Sequence, residues 1–208
     1  MIRFVTAILG ASSLVLVGCA SGKMASSWRD RSFSGPPMTN VLVIALRPEV
    51  TRRRLWEDAF VTELATRGVR ATASYQAFTA IPDTEQVVRM VRERGCDGVI
   101  TSMRLDPKTT THYVPGYTTS QTETRYNELD RRYEAYYNEV TTAGREETTT
   151  TGRFETHLWT THGGGKLIWT GVLECAERPD AKAIQEGVSN RIATELQADG
   201  FIPPRSKK

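Results

Sequence analysis

Excess charge of either sign is almost absent from this 208-residue sequence, in which 27 basic and 24 acidic residues leave a net charge of +3. That balance excludes a polyelectrolyte and lacks the basic footprint of a nucleic-acid-binding protein. Hydrophobic residues make up 39% and charged residues 25% of the chain, as in ordinary globular proteins. These proportions exclude a collagen-like chain and a multi-pass membrane protein. The length fits one domain of about 150 residues with extra segments.

The N-terminal segment carries one charge, Arg3, before an apolar stretch that runs from Phe4 to Val17. This stretch is shorter than the roughly 20 apolar residues of a membrane-spanning helix. A positive start, a short apolar middle and small residues at the end are typical of an export signal. We therefore predict that residues 1–18 are a cleaved signal peptide.

The end of that segment, Leu16-Val17-Gly18-Cys19, resembles the bacterial lipobox. The resemblance implies cleavage before Cys19 and attachment of acyl chains such as palmitate, which together hold a protein permanently at a membrane. Ala20 stands where lipoproteins of the inner membrane have Asp, which implies the outer membrane and its periplasmic face. The alternative is an ordinary signal peptide with a chance cysteine.

Two cysteines remain in the rest of the chain, Cys96 and Cys175. An oxidising periplasm permits a disulfide between them. The alternative, two small buried residues at the ends of core strands, is favoured because the sequence shows no pairing geometry.

Residues 19–39 are rich in Ser, Gly and Pro and lack periodicity, so we predict a flexible tether from Cys19. Regular patterns cover residues 40–202, which we assign to a single α/β domain with an insertion at about 106–150. Residues 203–208 form a short tail.

Strands and helices alternate in the first half of this domain. The apolar run over 41–46 predicts a strand buried on both faces, and further strands are predicted over 69–75 and 97–105. Helices are predicted over 51–67 and from 82 to 95, each closed by a glycine. This order calls for right-handed crossovers and parallel strands.

The second half changes to a hairpin and a helix. Strands over 154–161 and 167–173 flank the turn His162-Gly-Gly-Gly165, and a helix over 180–198 ends at Gly200. The combined pattern predicts a helix-covered mixed sheet in which the strand at 154–161 is antiparallel to its neighbours.

Four segments of the sequence resemble a group of uncharacterised bacterial lipoproteins. They are VLVIAL, TRRRLWEDAFVTELATRGV, GCDGVITSMRL and FETHLWTTHGGGKLIWTGV. That group shares its periplasmic domain type with the curli-assembly lipoprotein CsgG, the N-terminal domain of TolB and the lipoprotein activators of penicillin-binding proteins. The resemblance, over about residues 40–202, implies an anticodon-binding-domain-like fold. The expected structure is three-layered α/β, with three helices on a mixed five-stranded sheet of order 2-1-3-4-5 whose fourth strand is antiparallel.

No combination of residues indicates catalysis, a metal or a cofactor. The GGGK run at 163–166 is no phosphate loop, because Leu167 stands where Ser or Thr is required. His112, His157 and His162 are supported by no Cys pair and no HExxH motif. Neither a GxSxG nor an SxxK motif exposes a nucleophile. We predict a protein that is not an enzyme and holds neither a metal nor a cofactor.

A basic cluster surrounds the predicted carboxyl ends of the first and third strands, where ligands of such sheets usually bind. Cations at a helix N-terminus oppose the helix dipole, so a purely stabilising role is disfavoured. An anionic ligand, such as a peptidoglycan carboxylate or an acidic partner loop, would suit the cluster. The alternative is a solvated set of charges paired with neighbouring carboxylates. The candidate ligand residues are Arg47, Arg52, Arg53, Arg54 and Lys108.

The insertion is rich in threonine and holds six of the seven tyrosines, a composition that marks interaction surfaces. Spacing predicts an amphipathic helix over 122–140. The alternative is that these tyrosines cover the core of their own domain. The candidate interaction residues are Tyr113, Tyr117, Tyr126, Tyr133, Tyr136 and Tyr137.

The leading functional hypothesis is an outer-membrane lipoprotein of the periplasm that works as a non-enzymatic interaction or assembly module. Its partners would be the membrane, through the lipid, and another envelope protein or a second copy of the chain, but no nucleic acid. The alternative is a lipoprotein that binds peptidoglycan or a small anion in the arginine-lined crevice.

Overall fold

The computed structural model describes residues 22–129, 131–176 and 180–204, so the predicted signal peptide and Cys19 lie outside it. The chain forms the predicted α/β structure with three helices. Its elements are, in order, β1 (Lys23–Arg29), β2 (Asn40–Ala45), α1 (Val50–Ala65), β3 (Arg70–Ala73), α2 (Thr84–Arg94), β4 (Gly98–Val114), β5 (Tyr117–Asn127), β6 (Arg132–Thr142), β7 (Arg145–Thr160), β8 (Lys166–Ala176) and α3 (Ala181–Ala198).

The main sheet has six strands in the order β1-β8-β7-β4-β2-β3, and β5 and β6 pair as a second, two-stranded sheet. The prediction of a single five-stranded sheet is therefore wrong. Strand β2 is parallel to both β3 and β4, whereas β7 is antiparallel to β4 and to β8. The sixth strand, β1, lies at the edge beside β8 and is antiparallel to it.

Helices cover both faces of the sheet and give three layers. Strand β2 is buried along its whole length, so its side chains alternate between two hydrophobic clusters. Val41 and Val43 pack in the larger cluster with Phe60 of α1 and Ile192 of α3. Leu42 and Ile44 pack in the smaller cluster beneath α2. A strand that is buried on both faces has a continuous run of apolar residues. For this reason the sequence predicted β2 nearly at its observed bounds.

Part of the predicted tether is ordered as strand β1, so the flexible interpretation of residues 23–29 needs correction. A β-bulge between Met24 and Ser26 interrupts its pairing with β8. The bulge breaks the period of two that would mark a strand, so the sequence pattern did not show it. Further along, the ring centroid of Phe33 lies 5.9 Å from that of Phe201, and Met38 is fully buried.

The predicted helix over 122–140 is wrong, because this segment forms most of the antiparallel pair β5–β6. The helix-like spacing spans the turn that follows Asn127, in which Arg131 has a positive φ of 52°. Threonine and tyrosine favour extended backbone, and their density in the insertion was the better signal.

All three helices are followed by a glycine with positive φ, at Gly68, Gly95 and Gly200, as the sequence predicts. Cys96 and Cys175 are buried and form no disulfide. They belong to the clusters on opposite faces of the sheet, which keeps their thiols apart. In the part of the chain that the structure describes, no helix is long and apolar enough to cross a membrane.

Candidate functional site

Two long strands leave the main sheet together and form what we call the arm, residues 106–152. Strand β4 packs in the sheet up to about Leu105, and β7 pairs with β8 from Thr151 onward. Before Thr151, the described part of β7 pairs only with β4, and β5 and β6 then continue the ribbon as far as the pair of Asn127 and Arg132. The predicted insertion is thus a two-stranded projection of the sheet.

The pairing of the arm keeps one register over its whole length. It runs from Lys108 opposite Thr151 to Asn127 opposite Arg132, and it is the same on both sides of residues 115–116 and 143–144, which lie between the two strand pairs. A register shift lies at the root, between Leu105 and Lys108. At about 3.3 Å per residue, the 22 residues from 106 to 127 would reach roughly 70 Å when extended. The arm is therefore longer than the part of the sheet from which it leaves.

The described side chains of the arm are mostly exposed, and this includes large aromatic rings. Tyr113, Tyr117 and Tyr126 expose 66%, 61% and 51% of their surface, so these three do not cover the core of their own domain. Tyr133, Tyr136 and Tyr137 belong to β6, and their side chains lie outside the described part.

Threonine hydroxyls link the strands of the arm across the ribbon. The Oγ1 atoms of Thr111 and Thr148 are 3.1 Å apart, as are those of Thr118 and Thr141. Such cross-strand pairs contribute roughly 0.2–1 kcal/mol each. A two-stranded ribbon without a packed face is only marginally stable in water, and both its outer edges are templates for another strand.

The arm and the rest of the chain differ in charge. Residues 106–152 contain eight acidic and five basic residues, a net charge of −3, so the remainder of the chain carries +6. An acidic arm on a basic body favours contact between the arm of one molecule and the body of another.

Arg53, one of the predicted ligand residues, lies in the core and makes two side-chain hydrogen bonds there. Its Nε donates to Glu57 Oε1 at 3.0 Å and its Nη2 to Ser74 Oγ at 2.7 Å. Glu57 has no exposed surface and also accepts hydrogen bonds from the backbone N–H groups of Ala45 and Tyr75. This network ties α1 to the ends of β2 and β3, so Arg53 holds the fold together and is closed to ligands.

Arg47 follows β2 and lies on an aromatic platform. The Cζ atom of its guanidinium is 4.1 Å from the ring centroid of Trp56, whose ring stacks on Phe154 at 4.8 Å. Trp56 is fixed in turn, because its Nε1 donates to Ser102 Oγ at 3.1 Å. Burial, with the nearby charges of Arg104 and Arg52, lowers the pKa of Arg47 to about 10.

The other predicted cations lie outside the core. Arg52 pairs with Glu49 at 2.8 Å, and Arg54 lies over the ring of Tyr75 with its Cζ 5.4 Å from the centroid. Lys108 is on the arm, six residues beyond Ser102. Ser102 pairs with Ala45 at the end of β2, two residues before Arg47. Lys108 therefore lies several residues further along β4 than the part of this strand that is beside Arg47.

Two residues that lie near Arg47, namely Trp56 and Arg104, are not among the predicted ligand residues. Strand periodicity does point to Arg104, since alternation puts it on the same face as Ile100 and Ser102.

The histidines are dispersed. His112 and His157 each lie beside one carboxylate, at 3.5 Å from Glu147 and 3.2 Å from Glu155. His162 belongs to the turn between β7 and β8. Among the residues that the structure describes, no group of three or more potential metal ligands occurs.

No protein-family model and no curated protein matches the sequence. Among solved structures, the chain is similar to dodecameric PelC from Paraburkholderia phytofirmans, with 10% identity and a TM-score of 0.46 over 85% of this chain and 99% of that chain. A second crystal form of PelC gives 9% identity and a TM-score of 0.46 over 83% and 96%. A PDZ domain protein from Parabacteroides distasonis gives 11% identity and a TM-score of 0.30 over 79% of this chain and 32% of that one. These likenesses are too distant to bear on function, and the resemblance to the CsgG and TolB domain type stays a prediction.

Proposed function

We propose that this protein is an outer-membrane lipoprotein of the periplasmic face that works without catalysis, as an assembly module whose arm binds a second copy of the chain. One observation carries the proposal: the arm is built from two strand pairs in one register, β4–β7 and β5–β6, yet its described side chains are mostly exposed. An isolated two-stranded ribbon of this kind gains stability when a partner covers a face or an edge.

Charge favours a second copy as that partner. The acidic arm would repel another arm but attract the rest of the mature chain, which carries +5 after Arg3 leaves with the signal peptide. A contact between the arm of one copy and the body of another leaves a free body on the first copy and a free arm on the second, so such contacts propagate and close into a ring when the rotation allows.

The start of β1, which follows the predicted lipidation residue, lies in the same row of the sheet as the root of the arm. Four paired residues form one row across the sheet, from β1 at its edge to β4 at the root of the arm. They are Lys23, Glu174, Arg153 and Leu105. Cys19 is four residues before Lys23, within about 14 Å of it when extended. Acylation of Cys19 would thus hold this edge of the sheet, and the start of the arm, at the membrane surface.

Excision of the arm tests the proposed assembly. Replacing residues 110–149 with Asn-Gly joins Thr109 to its partner Thr150 through a two-residue hairpin turn. The intact lipoprotein, purified in detergent, is expected to have the mass of a defined oligomer by light scattering. The shortened protein is expected to be a monomer with an unchanged thermal midpoint.

A matched variant locates the contact along the arm. Replacing residues 118–141 with Asn-Gly removes only the outer hairpin, since Tyr117 pairs with Thr142. A photo-crosslinker at Thr122 is expected to join two copies in cells, whereas one at Glu93 of α2, equally exposed, is not. A monomeric intact protein, or assembly that survives removal of the whole arm, would refute the proposal.

The anchor has its own test. Replacing Cys19 with Ala is expected to release the protein from membranes, because the acyl chains have no other attachment residue. Fractionation of wild-type and variant cells measures the effect. Continued recovery of the variant with the outer membrane would contradict lipidation at Cys19.

A further inference from the structure

Arg47 has a pair of donors without an acceptor. Its Nε and Nη2 atoms are both buried, and neither has a hydrogen-bond partner among the residues that the structure describes. These two N–H groups lie on the same edge of the guanidinium plane and match the two oxygens of a carboxylate. A buried donor without an acceptor is costly, so a structural arginine would normally be paired.

Other buried arginines of this chain show what pairing looks like. Arg53 uses the same two atoms, Nε and Nη2, for Glu57 and Ser74. Arg67 donates through Nη1 to Glu63 and through Nη2 to Thr194 at 2.8 Å, and leaves only Nε without an acceptor. Arg153 likewise leaves Nε without a hydrogen bond, yet this nitrogen lies 3.5 Å from Glu174. Among the buried side-chain atoms of the described part of the chain, Arg47 alone has both atoms of this edge without a hydrogen-bond partner.

The guanidinium is also held rigidly. Trp56 supports its face at 4.1 Å, Phe154 lies behind Trp56, and Ser102 fixes the indole by a hydrogen bond. A group that is already ordered loses little entropy when it binds a ligand, so the platform favours affinity. Pro48, directly after Arg47, further restricts the backbone at this position.

Two other arginines act on Arg47 as like charges. They are Arg104 and Arg52, of which Arg52 also pairs with Glu49, and no ion pair of Arg47 itself occurs among the described residues. Like charges at one end of the sheet favour the approach of an anion. We propose that Arg47 binds a carboxylate side-on through Nε–H and Nη2–H, with Arg52 and Arg104 adding attraction. This inference goes beyond the proposed assembly function and does not depend on it.

Two sources share this chemistry, namely the terminal carboxylate of a small peptide and a carboxylate on the arm of a second copy. Calorimetric titration of the intact lipoprotein in detergent with N-acetyl-alanyl-alanine, and with the same peptide as its C-terminal amide, tests the site. The acid is expected to bind and the amide is not, because only the acid offers two charged acceptors. In protein labelled with 15N-arginine, the Nε–H signal of Arg47 is expected to move with the acid alone.

Matched variants distinguish the effect of the paired Nε–H and Nη2–H donors from the effect of positive charge alone. Replacing Arg47 with Lys keeps the cation but removes the paired donors, so the Kd is expected to rise at least about tenfold. Replacing Arg52 with Lys keeps the local charge and is expected to change the Kd less than about threefold. Thermal unfolding of both variants shows whether they fold.

The shortened arm variant, with 110–149 replaced, distinguishes the two sources. Equal binding by intact and shortened proteins identifies a free carboxylate ligand. Binding by the shortened protein alone shows that the arm of a second copy fills the site in the intact assembly. An Arg47 signal that moves with neither peptide in either protein, or that moves equally with acid and amide, would overturn the inference, whatever the outcome of the assembly experiment.

Discussion

Strand β4 passes through two environments, and so offers a comparison within one element. From Gly98 to Leu105 it lies inside the main sheet, where Val99, Ile100 and Ser102 are buried. From Asp106 to Val114 nearly every residue is exposed, although the pairing with β7 continues. Backbone hydrogen bonds alone therefore extend a strand but do not give it a core. The body is stabilised by its own packing, whereas the arm depends on cross-strand pairs and, as proposed, on a partner.

The largest effect is expected when the buried network of the body is broken. Replacing Glu57 with Ala leaves Arg53 as an unpaired charge in the core and removes the acceptor of two backbone N–H groups. Removing one member of a buried pair costs about 3–5 kcal/mol. Urea unfolding of the variant, compared with wild type, measures this loss in the free energy of unfolding.

Glu49 provides the matched control, because it also pairs with an arginine of α1 but at the surface. Replacing Glu49 with Ala is expected to cost at most about 1 kcal/mol. Equal losses for the two variants would show that the Glu57 network does not carry the stability assigned to it.

A second pair of variants compares body and arm on one strand, β7. Leu158 has no exposed surface, and replacing it with Ala is expected to cost about 2–5 kcal/mol because it leaves a cavity. Thr149 is exposed on the arm, and its replacement with Ala is expected to change the free energy of unfolding by no more than about 0.5 kcal/mol. Denaturation of monomeric protein checks both values. A large loss at Thr149 would mean that the arm and the body unfold as one packed unit.

The smallest effect concerns β1, the part of the body that most resembles the arm in its exposure. After this strand, Asp30 pairs with Lys166 at 2.5 Å, and hydrogen bonds from Lys166 and Ser32 lower the pKa of Asp30 from 3.8 to about 2. A lowered carboxyl pKa adds stability that is fully present above pH 3.8 and is lost as the pH falls through about 2. The difference in unfolding free energy between wild type and Asp30→Asn is therefore expected to be full at pH 7 and mostly lost at pH 2. A difference that is as large at pH 2 as at pH 7 would contradict this assignment.

Sequence patterns predicted the parts of the fold that pack on both sides. The continuous apolar run of β2 and the spacing of Trp56, Phe60 and Leu64 on α1 reflect burial directly, and all three side chains are buried. The glycine after each helix was equally informative. Patterns of this kind record burial, so they locate the body.

The same patterns failed where burial is slight. Strand β1 has a bulge and a mostly exposed surface, and the arm has no buried face to impose a period. The basic cluster was partly visible in the sequence: Arg52 does act on Arg47 as a nearby charge, whereas the inward position of Arg53 depends on Glu57 and Ser74. Their role in binding a ligand stays a prediction. Contacts between distant segments leave no local pattern to read.

The unbroken register of the arm makes its length adjustable. Because side chains alternate with a period of two, deleting two residues from each strand at paired positions would shorten the ribbon by about 7 Å and keep every remaining side chain on its face. Deleting residues from one strand alone would instead misalign every pair beyond the cut. A series of paired deletions of increasing size thus varies the length of the arm in known steps. The deletion at which the proposed assembly is lost measures the distance that the arm has to bridge.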